Sequence, residues 1–310
     1  GAPDTEYTRA VTRKTLIGAV QRVLQPGCKF DTVLVLDGKP GIGKSTLLRK
    51  LGGKWFSDSL SLADTRDKTA AEKLQGVWIM EIGEMQGTRK ADVDIMKGFI
   101  SRQVDEYRAA YGRVVEHHPR TCIICGTTNS TTGFLRDTTG NRRFWPVPVN
   151  GGGRLSVWDM TEDTRAQIWA ETMILVAEGE TSYLDAAMEL EAAKMQREAI
   201  EYDDREGEVI DYLETLLPAD WYSWDMAKRV DFFQQRDVLD VKVDCTMRRT
   251  KVCAREIFCE CWGRPKNAWK RQDGYDIACI MARIPGWEKT GREARVPGYG
   301  HQRVYTRVEE

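Results

Sequence analysis

The sequence predicts an α/β fold with a mainly parallel sheet, followed by a helical connector and a small separate domain. Between residues 31 and 150, apolar runs typical of strands alternate with helical patterns, and a glycine-rich run directly follows the apolar stretch 32–36. Strands that alternate with helices form parallel sheets covered on both faces, and ligands bind at the carboxyl ends of their strands. We therefore expect the chemistry of this protein to lie where these strands end.

The remaining elements follow from hydrophobic periodicity and from breakers such as Pro26-Gly27. In chain order the predicted elements are a helix over 5–25, a strand over 32–36, a helix after the glycine-rich run, a strand over 55–60, a helix over 68–74, a strand over 77–80, a helix over 91–100, and strands over 121–125 and 144–149. The run Gly151-Gly152-Gly153 predicts a hinge, and the pattern over 158–201 is helical and acidic. The predicted divisions are an N-terminal helix (1–30), a core (31–150), an acidic helical connector or lid (151–204) and a C-terminal domain (205–310).

The C-terminal domain has the parts of a winged helix. Helical patterns over 209–217, 226–235, 253–262 and 267–283 precede two extended segments around a Gly- and Arg-rich tip at 293–301. Three helices and a β-hairpin make up that DNA-binding fold. The basic residues that it would present to DNA are Lys266, Lys270 and Arg271 from the last helix and Arg292 and Arg295 from the tip. The alternative is a helical packing domain whose basic residues are simply solvated.

The glycine-rich run has the spacing of a P-loop, the phosphate-binding turn of nucleoside triphosphatases. It reads Gly38-Lys39-Pro40-Gly41-Ile42-Gly43-Lys44-Ser45-Thr46. Such a turn directs several backbone N–H groups at a phosphate, and the helix that follows adds the positive end of its dipole. In this pattern Lys44 reaches the β- and γ-phosphates and Ser45 ligates Mg²⁺. We therefore expect ATP and Mg²⁺ as cofactors, held by Gly38, Pro40, Gly41, Ile42, Gly43, Lys44, Ser45 and Thr46.

Polar residues near the ends of two later strands provide candidate catalytic groups. Glu81 follows the predicted strand 77–80 and is placed to hold Mg²⁺ or its water shell, and Glu84 could turn back to polarise the attacking water. Asn129 follows the next strong apolar strand and is suited to orienting that water or contacting the γ-phosphate. The alternatives are surface glutamates for the two acids and a turn-forming role for Asn129.

Two arginines precede the predicted strand 144–149, in the run Asn141-Arg142-Arg143-Phe144-Trp145. An arginine offered to the γ-phosphate of a neighbouring subunit accelerates phosphoryl transfer by roughly 10³- to 10⁵-fold. That role requires an oligomer, because the arginine and the nucleotide belong to different subunits.

A basic and aromatic hairpin is predicted around Tyr107-Arg108-Ala109-Ala110-Tyr111-Gly112-Arg113. Arginines for phosphates beside aromatic rings for bases are the combination that binds a single strand. The candidate DNA contacts in this region are Lys97, Arg108, Tyr111, Arg113 and Arg120. An intramolecular role near the nucleotide is an equal alternative.

Composition restricts the class of protein. The chain has 310 residues, 41% of them hydrophobic and 30% charged, with no apolar run long enough for a membrane helix, so we expect a cytoplasmic protein with a real core. The eight cysteines show no paired framework, and the formal net charge of −1 hides an acidic stretch, 151–240, between two basic ones. Basic modules attract a phosphate backbone. The motifs of serine hydrolases and zinc proteases, Gly-x-Ser-x-Gly and His-Glu-x-x-His, do not occur.

In combination, these motifs resemble the superfamily III helicases, hexameric AAA+ motors of small viruses and mobile elements. More closely, the chain is similar to the virulence-associated E family, over about residues 7–150 and more weakly near the C-terminus. The matching runs are Asp105-Glu106-Tyr107-Arg108, Tyr111-Gly112-Arg113, Pro119-Arg120, Thr127-Thr128-Asn129, Leu135-Arg136-Asp137 and Gly140-Asn141-Arg142-Arg143-Phe144-Trp145-Pro146. The resemblance implies a P-loop AAA+ ATPase core in a replicative helicase of a prophage or phage-inducible element in a bacterial host, often behind a primase-like domain.

The same resemblance implies roles for individual residues. Lys44 and Ser45 would be the phosphate and Mg²⁺ ligands, Glu81 the acid of the second motif, Asn129 the sensor and Arg142 the finger acting on a neighbouring subunit, with Arg143 as second choice. Many AAA+ motors carry two adjacent acids at this strand end, whereas Glu81 is followed by Ile82. The sequence therefore leaves open which residue acts as the base that activates water.

Three functions fit the sequence. The first is an ATP-driven DNA helicase that closes into a ring, with six subunits expected, and draws one strand past the hairpins. The second is a replication initiator or loader that binds duplex DNA and uses ATP as an assembly switch without unwinding. The third is a motor on RNA, since backbone contacts and stacking distinguish DNA from RNA only where a 2′-hydroxyl is read.

Overall fold

The computed structural model describes residues 1–61, 63–83, 90–108, 113–129, 133–135, 141–153, 155–200, 202–234 and 245–308. The chain forms two compact units, residues 1–200 and 201–310. Each unit has its own hydrophobic core. Within the described residues, no helix combines the length and the apolar character needed to cross a bilayer.

The first unit is an α/β structure with a parallel central sheet, as the sequence predicted. Its helices are α1 (Glu6–Leu24), α2 (Lys44–Gly52), α3 (Lys68–Lys73), α4 (Lys90–Ile100), α5 (Glu162–Ala177) and α6 (Ala186–Glu198). Its strands are β1 (Val33–Asp37), β2 (Phe56–Ser57), β3 (Ile79–Ile82), β4 (Val104–Tyr107), β5 (Glu116–Pro119), β6 (Ile123–Thr128) and β7 (Phe144–Pro148). The central sheet has the order β2-β3-β6-β1-β7 with every pair parallel, and β4 and β5 form a separate antiparallel pair.

Two strands of the central sheet differ from their predicted bounds. Strand β3 begins two residues later than predicted and contains Glu81 rather than ending before it. Strand β6 continues past the predicted end at Cys125 through Gly126, Thr127 and Thr128. Those three residues are not apolar, so hydropathy ends the strand too early, but parallel pairing with β1 buries all of them.

The segment 151–204, predicted as a connector or lid, lies mostly within the first unit because α5 and α6 pack against α1. Two tryptophans join these layers. Trp78 donates its indole N–H to the carbonyl oxygen of Ala19 in α1 at 2.8 Å, and its ring lies 4.2 Å from that of Trp169 in α5. Trp169 in turn donates to the carbonyl oxygen of Leu51 at 3.0 Å. The indole groups thus bury apolar surface while their N–H groups are satisfied.

In its described residues, 202–234 and 245–308, the second unit has four helices and a small antiparallel sheet. Its helices are α7 (Glu206–Glu214), α8 (Met226–Gln234), α9 (Ala254–Glu256, continued as a π-helix over Ile257–Cys261) and α10 (Arg271–Arg283). Its strands are β8 (Leu217–Pro218), β9 (Cys245–Met247), β10 (Lys251–Cys253), β11 (Trp287–Val296) and β12 (Gly300–Arg307). The main sheet has the order β10-β12-β11, and β8 pairs with β9.

Helix α10 starts four residues later than the predicted helix over 267–283. Residues Lys266–Ala268 form a separate 3-10 turn. Helix α10 begins at Arg271, and Asp273 in its first turn caps this start, because its carboxylate accepts a hydrogen bond from the backbone N–H of Lys270 at 2.6 Å. A carboxylate in the first turn also stabilises the positive end of the helix dipole.

Candidate functional site

The polar residues selected from the sequence gather at the carboxyl edge of three neighbouring strands. Strand β6 lies between β1 and β3, with Asp37 beside Thr128 and Glu81 beside Cys125. The glycine-rich loop, residues 38–43, leaves the end of β1 and leads directly into α2 at Lys44. Its first residue is fixed to β6, because Gly38 donates its N–H to the carbonyl oxygen of Thr128 at 3.2 Å.

The glycines of this loop are required by its backbone. Gly41 and Gly43 have φ of 78° and 91°, in the left-handed region that side chains disfavour. Gly38 lies so close to the carbonyl oxygen of Val149 that a Cβ there would overlap it. A loop of this shape followed by a helix N-terminus offers backbone N–H groups to an anion.

Lys44 folds its ammonium group back over the loop. Its Nζ donates to the carbonyl oxygens of Gly38 at 2.6 Å and Lys39 at 2.8 Å and to Oδ1 of Asn129 at 2.7 Å. Burial lowers the pKa of Lys44, and the nearby carboxylates of Asp37 and Glu81 act in the opposite direction. All three ammonium protons are directed at neutral oxygens, which are acceptors that phosphate oxygens can replace.

Glu81 is bound to the first turn of α2. Its Oε1 accepts hydrogen bonds from Ser45 Oγ and Thr127 Oγ1, both at 2.6 Å, and the residue is only 3% exposed. Its Oε2 is buried and has no hydrogen-bond partner among the described residues. A hydroxyl beside a carboxylate oxygen with free lone pairs is a suitable donor set for Mg²⁺, which prefers a few protein oxygens and retains several waters. The residues present therefore fit the predicted ion.

Two residues of this edge were not selected from the sequence. Thr127 was quoted only as part of a motif, although a hydroxyl two residues before Asn129 at a strand end was a usable signal. Asp37 ends β1, and its buried Oδ1 has no hydrogen-bond partner within the described part of the chain. Burial raises the pKa of Asp37 to about 6, with Lys44 acting in the opposite direction.

The two arginines of the run 141–143 lie at the amino ends of the strands, opposite the carboxyl ends where the loop lies. They form a 3-10 turn that leads into β7, and Phe144 at the start of β7 pairs with Val33 at the start of β1. Arg142 is exposed, whereas Arg143 is half-buried and donates from Nε to Ser101 Oγ at 2.9 Å. The loop begins at the opposite end of β1, roughly 13 Å away at the usual rise per residue. Glu84 lies outside the described residues.

The family model of the virulence-associated protein E-like domain matches residues 1–201, which is more than half of the chain. The chain belongs to this family. No curated protein matches the chain.

Three solved structures, all apo forms of the NrS-1 C-terminal region, align with 99% of this virulence-associated protein E-like chain. Their sequence identities are 11%, 13% and 13%, they are covered to 76%, 77% and 76%, and their TM-scores are 0.41, 0.37 and 0.42. Similarity at this level is too low to transfer a function.

The hairpin of this virulence-associated protein E-like domain consists of β4 and β5, with residues 109–112 between them, including Tyr111, outside the described part. Arg108 and Arg113, on either side of that gap, are exposed as expected. Arg120 is not. Its Nε and Nη2 donate to the two carboxylate oxygens of Asp105 at 2.6 and 2.7 Å, and its Nη1 donates to the carbonyl oxygen of Phe99 at 2.6 Å.

The prediction that Arg120 and Lys97 contact DNA is therefore corrected. Arg120 is 4% exposed and its guanidinium is fully engaged inside the fold, and Lys97 is 7% exposed. Neither side chain presents a charge at the surface of this structure. Sequence reasoning grouped them with the hairpin because composition does not reveal which face of an element a basic residue occupies.

All five basic residues selected in the second unit are exposed: Lys266, Lys270, Arg271, Arg292 and Arg295. Their positions differ in part from those expected. Lys266 lies in the 3-10 turn before α10 and donates to the carbonyl oxygen of Gly298 at 2.9 Å, and Arg271 donates to Tyr275 Oη at 2.8 Å. Arg292 and Arg295 lie on β11 itself rather than at the tip of the hairpin.

Proposed function

We propose that this protein is an ATP-driven DNA helicase with a P-loop AAA+ core of the superfamily III type, acting in the replication of a phage or phage-inducible element. The observation that carries the proposal is the meeting of Lys44, Ser45, Glu81 and Asn129 at one edge of the sheet, around a loop built to hold phosphate. This set combines a cation for phosphate, oxygen ligands for Mg²⁺ and an amide that reaches the same cation.

The chain's own residues divide the work at this edge. Backbone N–H groups of the loop hold the phosphates, and Lys44 exchanges its contacts with Gly38, Lys39 and Asn129 for phosphate oxygens. Bound Mg²⁺ supplies neutralisation of the charge that develops on the phosphates. Ser45 and Glu81 hold that ion, and Thr127 fixes the Glu81 carboxylate from the opposite side. Asn129, released from Lys44, is then free to orient water at the γ-phosphate.

Position 82, where many AAA+ motors carry a second acid, is occupied by an isoleucine in this chain. Ile82 is buried in β3, so this position provides no second acid. The second carboxylate oxygen of Glu81, Oε2, accepts no hydrogen bond from the described residues and is available to water near the ion. We therefore assign the activation of the attacking water to Glu81, with Glu84 as the alternative.

Ring formation is supported by where Arg142 lies. It is exposed and sits at the sheet edge opposite the loop, so it is better placed for a neighbouring subunit's nucleotide than for its own. An arginine acting in this way couples hydrolysis to the subunit interface. A closed ring, with six subunits expected, repeats the arrangement at every interface.

Two exposed basic surfaces support nucleic-acid binding. Arg108 and Arg113 flank the end of the β4–β5 hairpin, and in a ring the hairpins of all subunits would line one passage for a single strand. In the second unit, β10 precedes α9 and α10, and β11 and β12 follow, which is the order of parts in a winged helix.

The second candidate function is an ATP-switched replication initiator or loader. The exposed arginines on β11 and the basic start of α10 favour it, because a winged helix binds duplex DNA. In that case ATP controls assembly and no unwinding follows.

Strand displacement from a labelled forked DNA, with ATP and Mg²⁺, distinguishes the two functions. We expect the wild type to displace the strand and Lys44→Ala to fail, because the variant lacks the cation that holds the phosphates. ATP hydrolysis without displacement, together with tight binding of one duplex sequence, would contradict the helicase and support the initiator. Competition between DNA and RNA oligonucleotides of one sequence then identifies the preferred strand.

A further inference from the structure

The chain that follows β7 passes over the glycine-rich loop. The carbonyl oxygen of Val149 lies against Gly38, and a Cβ at Gly151 would lie 3.4 Å from Cγ2 of Ile42. A Cβ at Gly43 would lie 2.5 Å from Cγ1 of Val157. The chain after β7 therefore lies against the loop at its first residue and at its end, over Ile42 and Gly43, and the absence of side chains at Gly38 and Gly43 allows that approach.

This segment ends in a short turn that α2 holds in place. Residues Val157–Asp159 form a 3-10 turn, and Lys50 from α2 donates to the carbonyl oxygens of Trp158 at 2.7 Å and Met160 at 2.9 Å. At its start, Ser156 Oγ accepts a hydrogen bond from the backbone N–H of Trp158 at 3.2 Å. The backbone of Trp158 is thus fixed at both ends of the turn.

The indole of Trp158 nevertheless lies open to solvent beside the loop. Trp158 is 62% exposed, while its Cζ2 and Cε2 atoms are 3.7 and 3.8 Å from where a Cβ of Gly43 would be. Single exposed apolar residues are common and need no explanation by themselves. Here, however, a large flat ring with a fixed backbone borders the N-terminus of α2, where an anion is expected.

The geometry of a P-loop indicates which part of a nucleotide comes near this ring. Lys44 and Ser45 face Glu81 and so mark the β- and γ-phosphate side. Gly43 and Lys50 both contact the 3-10 turn Val157–Asp159. Because Gly43, Thr46 and Lys50 are three and four residues apart in turn, they lie on one face of α2, which differs from the face that Ser45 directs at Glu81. The nucleoside, attached at the α-phosphate, has to leave the loop away from Glu81, and the exposed ring borders that side.

We propose that the base of the bound nucleotide stacks on the indole of Trp158. This inference rests on the proposed nucleotide site and adds its base-binding surface. Stacking uses the π-face that every base possesses, so the ring contributes affinity for purine nucleotides generally rather than selection of one base. Lys50 holds the turn that carries the ring, through its hydrogen bonds to the carbonyl oxygens of Trp158 and Met160.

The test compares a nucleotide with the phosphate chain alone. Equilibrium binding of the Mg²⁺ complexes of a non-hydrolysable ATP analogue, the matching GTP analogue and inorganic tripolyphosphate is measured for the wild type, Trp158→Ala, Trp158→Phe and Lys44→Ala. Trp55→Ala is the matched control, because Trp55 is similarly exposed at 48% and its ring packs beside Trp78 instead of the loop. Melting curves of all variants confirm that each is folded.

We expect Trp158→Ala to weaken both nucleotide analogues by about 5- to 150-fold, the range for loss of one base–aromatic stack. Trp158→Phe should stay within a few-fold of the wild type, and tripolyphosphate binding should not change. Equal nucleotide binding by Trp158→Ala and Trp55→Ala would overturn the inference, as would an equal loss of tripolyphosphate and nucleotide. In those cases the wild type still binds tripolyphosphate through Lys44. A wild type that binds neither ligand contradicts the proposed nucleotide site itself.

Discussion

Ser45 Oγ donates a hydrogen bond to Glu81 Oε1 at 2.6 Å. This contact joins the first turn of α2 to strand β3 and brings together the two residues predicted to hold Mg²⁺. Thr127 donates to the same oxygen and leaves Oε2 without a partner among the described residues. The carboxylate is therefore oriented before any ion binds, which reduces the cost of ordering it during catalysis.

Ser45 and Thr127 both donate a hydrogen bond to Glu81, but only Ser45 is proposed to bind the ion, so replacing each hydroxyl should have a different effect. We expect Ser45→Ala to abolish detectable Mg²⁺-dependent ATP hydrolysis, because it removes a ligand of the ion. Thr127→Ala should lower hydrolysis by about 10- to 100-fold, the usual effect of losing a group that orients a metal ligand. Initial rates over a range of Mg²⁺ concentrations check both. A wild-type Mg²⁺ dependence in Ser45→Ala would contradict the assignment.

Arg142 and Arg143 should differ in their effects on hydrolysis. We expect Arg142→Ala to lower kcat by about 10³- to 10⁵-fold with nucleotide binding unchanged, because the exposed guanidinium acts on a neighbouring subunit. Arg143→Ala should have a smaller effect, since its Nε is already bound to Ser101.

Mixing two inactive variants tests whether Arg142 acts between subunits. Glu81→Gln keeps a functional arginine, and Arg142→Ala keeps a functional acid. Mixed rings contain interfaces with both groups intact, so activity should reappear when the two proteins are combined. Failure to restore hydrolysis, in mixtures shown to assemble, would rule out the role between subunits.

Arg120 should stabilise the fold rather than bind DNA. Its bidentate pair with Asp105 is almost fully buried, with side chains only 3% and 1% exposed. Arg120→Ala leaves the Asp105 charge buried and unpaired, which should lower the free energy of unfolding by about 3–5 kcal/mol. Urea titration measures this loss. A variant as stable as the wild type would show that the ion pair is not needed.

Arg108 is an exposed arginine of the same hairpin region and serves as the comparison for the buried Arg120. Arg108→Ala should change the free energy of unfolding by less than about 0.5 kcal/mol, as is usual at exposed sites. It should weaken single-stranded DNA binding and reduce the slope of log affinity against log salt concentration by about one, the effect of one lost phosphate contact. Unchanged DNA affinity and salt slope would remove the hairpin from the proposed strand-binding surface.

The Asp37 carboxylate predicts a pH dependence of stability. Burial raises its pKa from 3.8 to about 6 in the folded protein, against the attraction of Lys44, so the folded state binds more protons between those values. Stability is therefore lost as the pH rises through this window, and the full penalty remains above about pH 6. Asp37→Asn should raise the melting temperature near neutral pH, with the gain vanishing below about pH 4.

The control for that experiment is Asp58→Asn, at an exposed carboxylate paired with Arg49. Thermal melts of both variants between about pH 4 and 8 give the comparison. A constant difference between Asp37→Asn and the wild type across this range would show that the carboxylate carries no such penalty.

The sequence predicted the layers of the first unit because alternating apolar strands and amphipathic helices reflect burial directly. It placed the ends of β3 and β6 incorrectly, since the polar residues at their carboxyl ends are held by pairing with neighbouring strands rather than by hydrophobicity. The start of α10 was also predicted too early, because it depends on a local cap: the Asp273 carboxylate accepts a hydrogen bond from the backbone N–H of Lys270, and the helix begins at Arg271.

Within the candidate site, the sequence indicated the residues that belong to a local motif or end a strand, and the structure brings these together: Lys44, Ser45, Glu81 and Asn129. Contacts between distant segments were not predictable in this way. Arg120 faces Asp105 only because β4 and β5 form a hairpin that brings the two residues to adjacent ends, and neither composition nor motif specifies that pairing. Trp158 reaches Gly43 only because the chain after β7 returns across the loop.

The most direct test of the central claim is Mg²⁺-dependent ATP hydrolysis, measured with and without single-stranded DNA, for the wild type, Lys44→Ala and Glu81→Gln. We predict that the wild type hydrolyses ATP and is stimulated by DNA, whereas Glu81→Gln loses about 10²- to 10⁴-fold in rate while still binding ATP, and Lys44→Ala loses both. Hydrolysis at the wild-type rate by Glu81→Gln or Lys44→Ala would contradict the account, because the chemistry would then lie elsewhere in the chain.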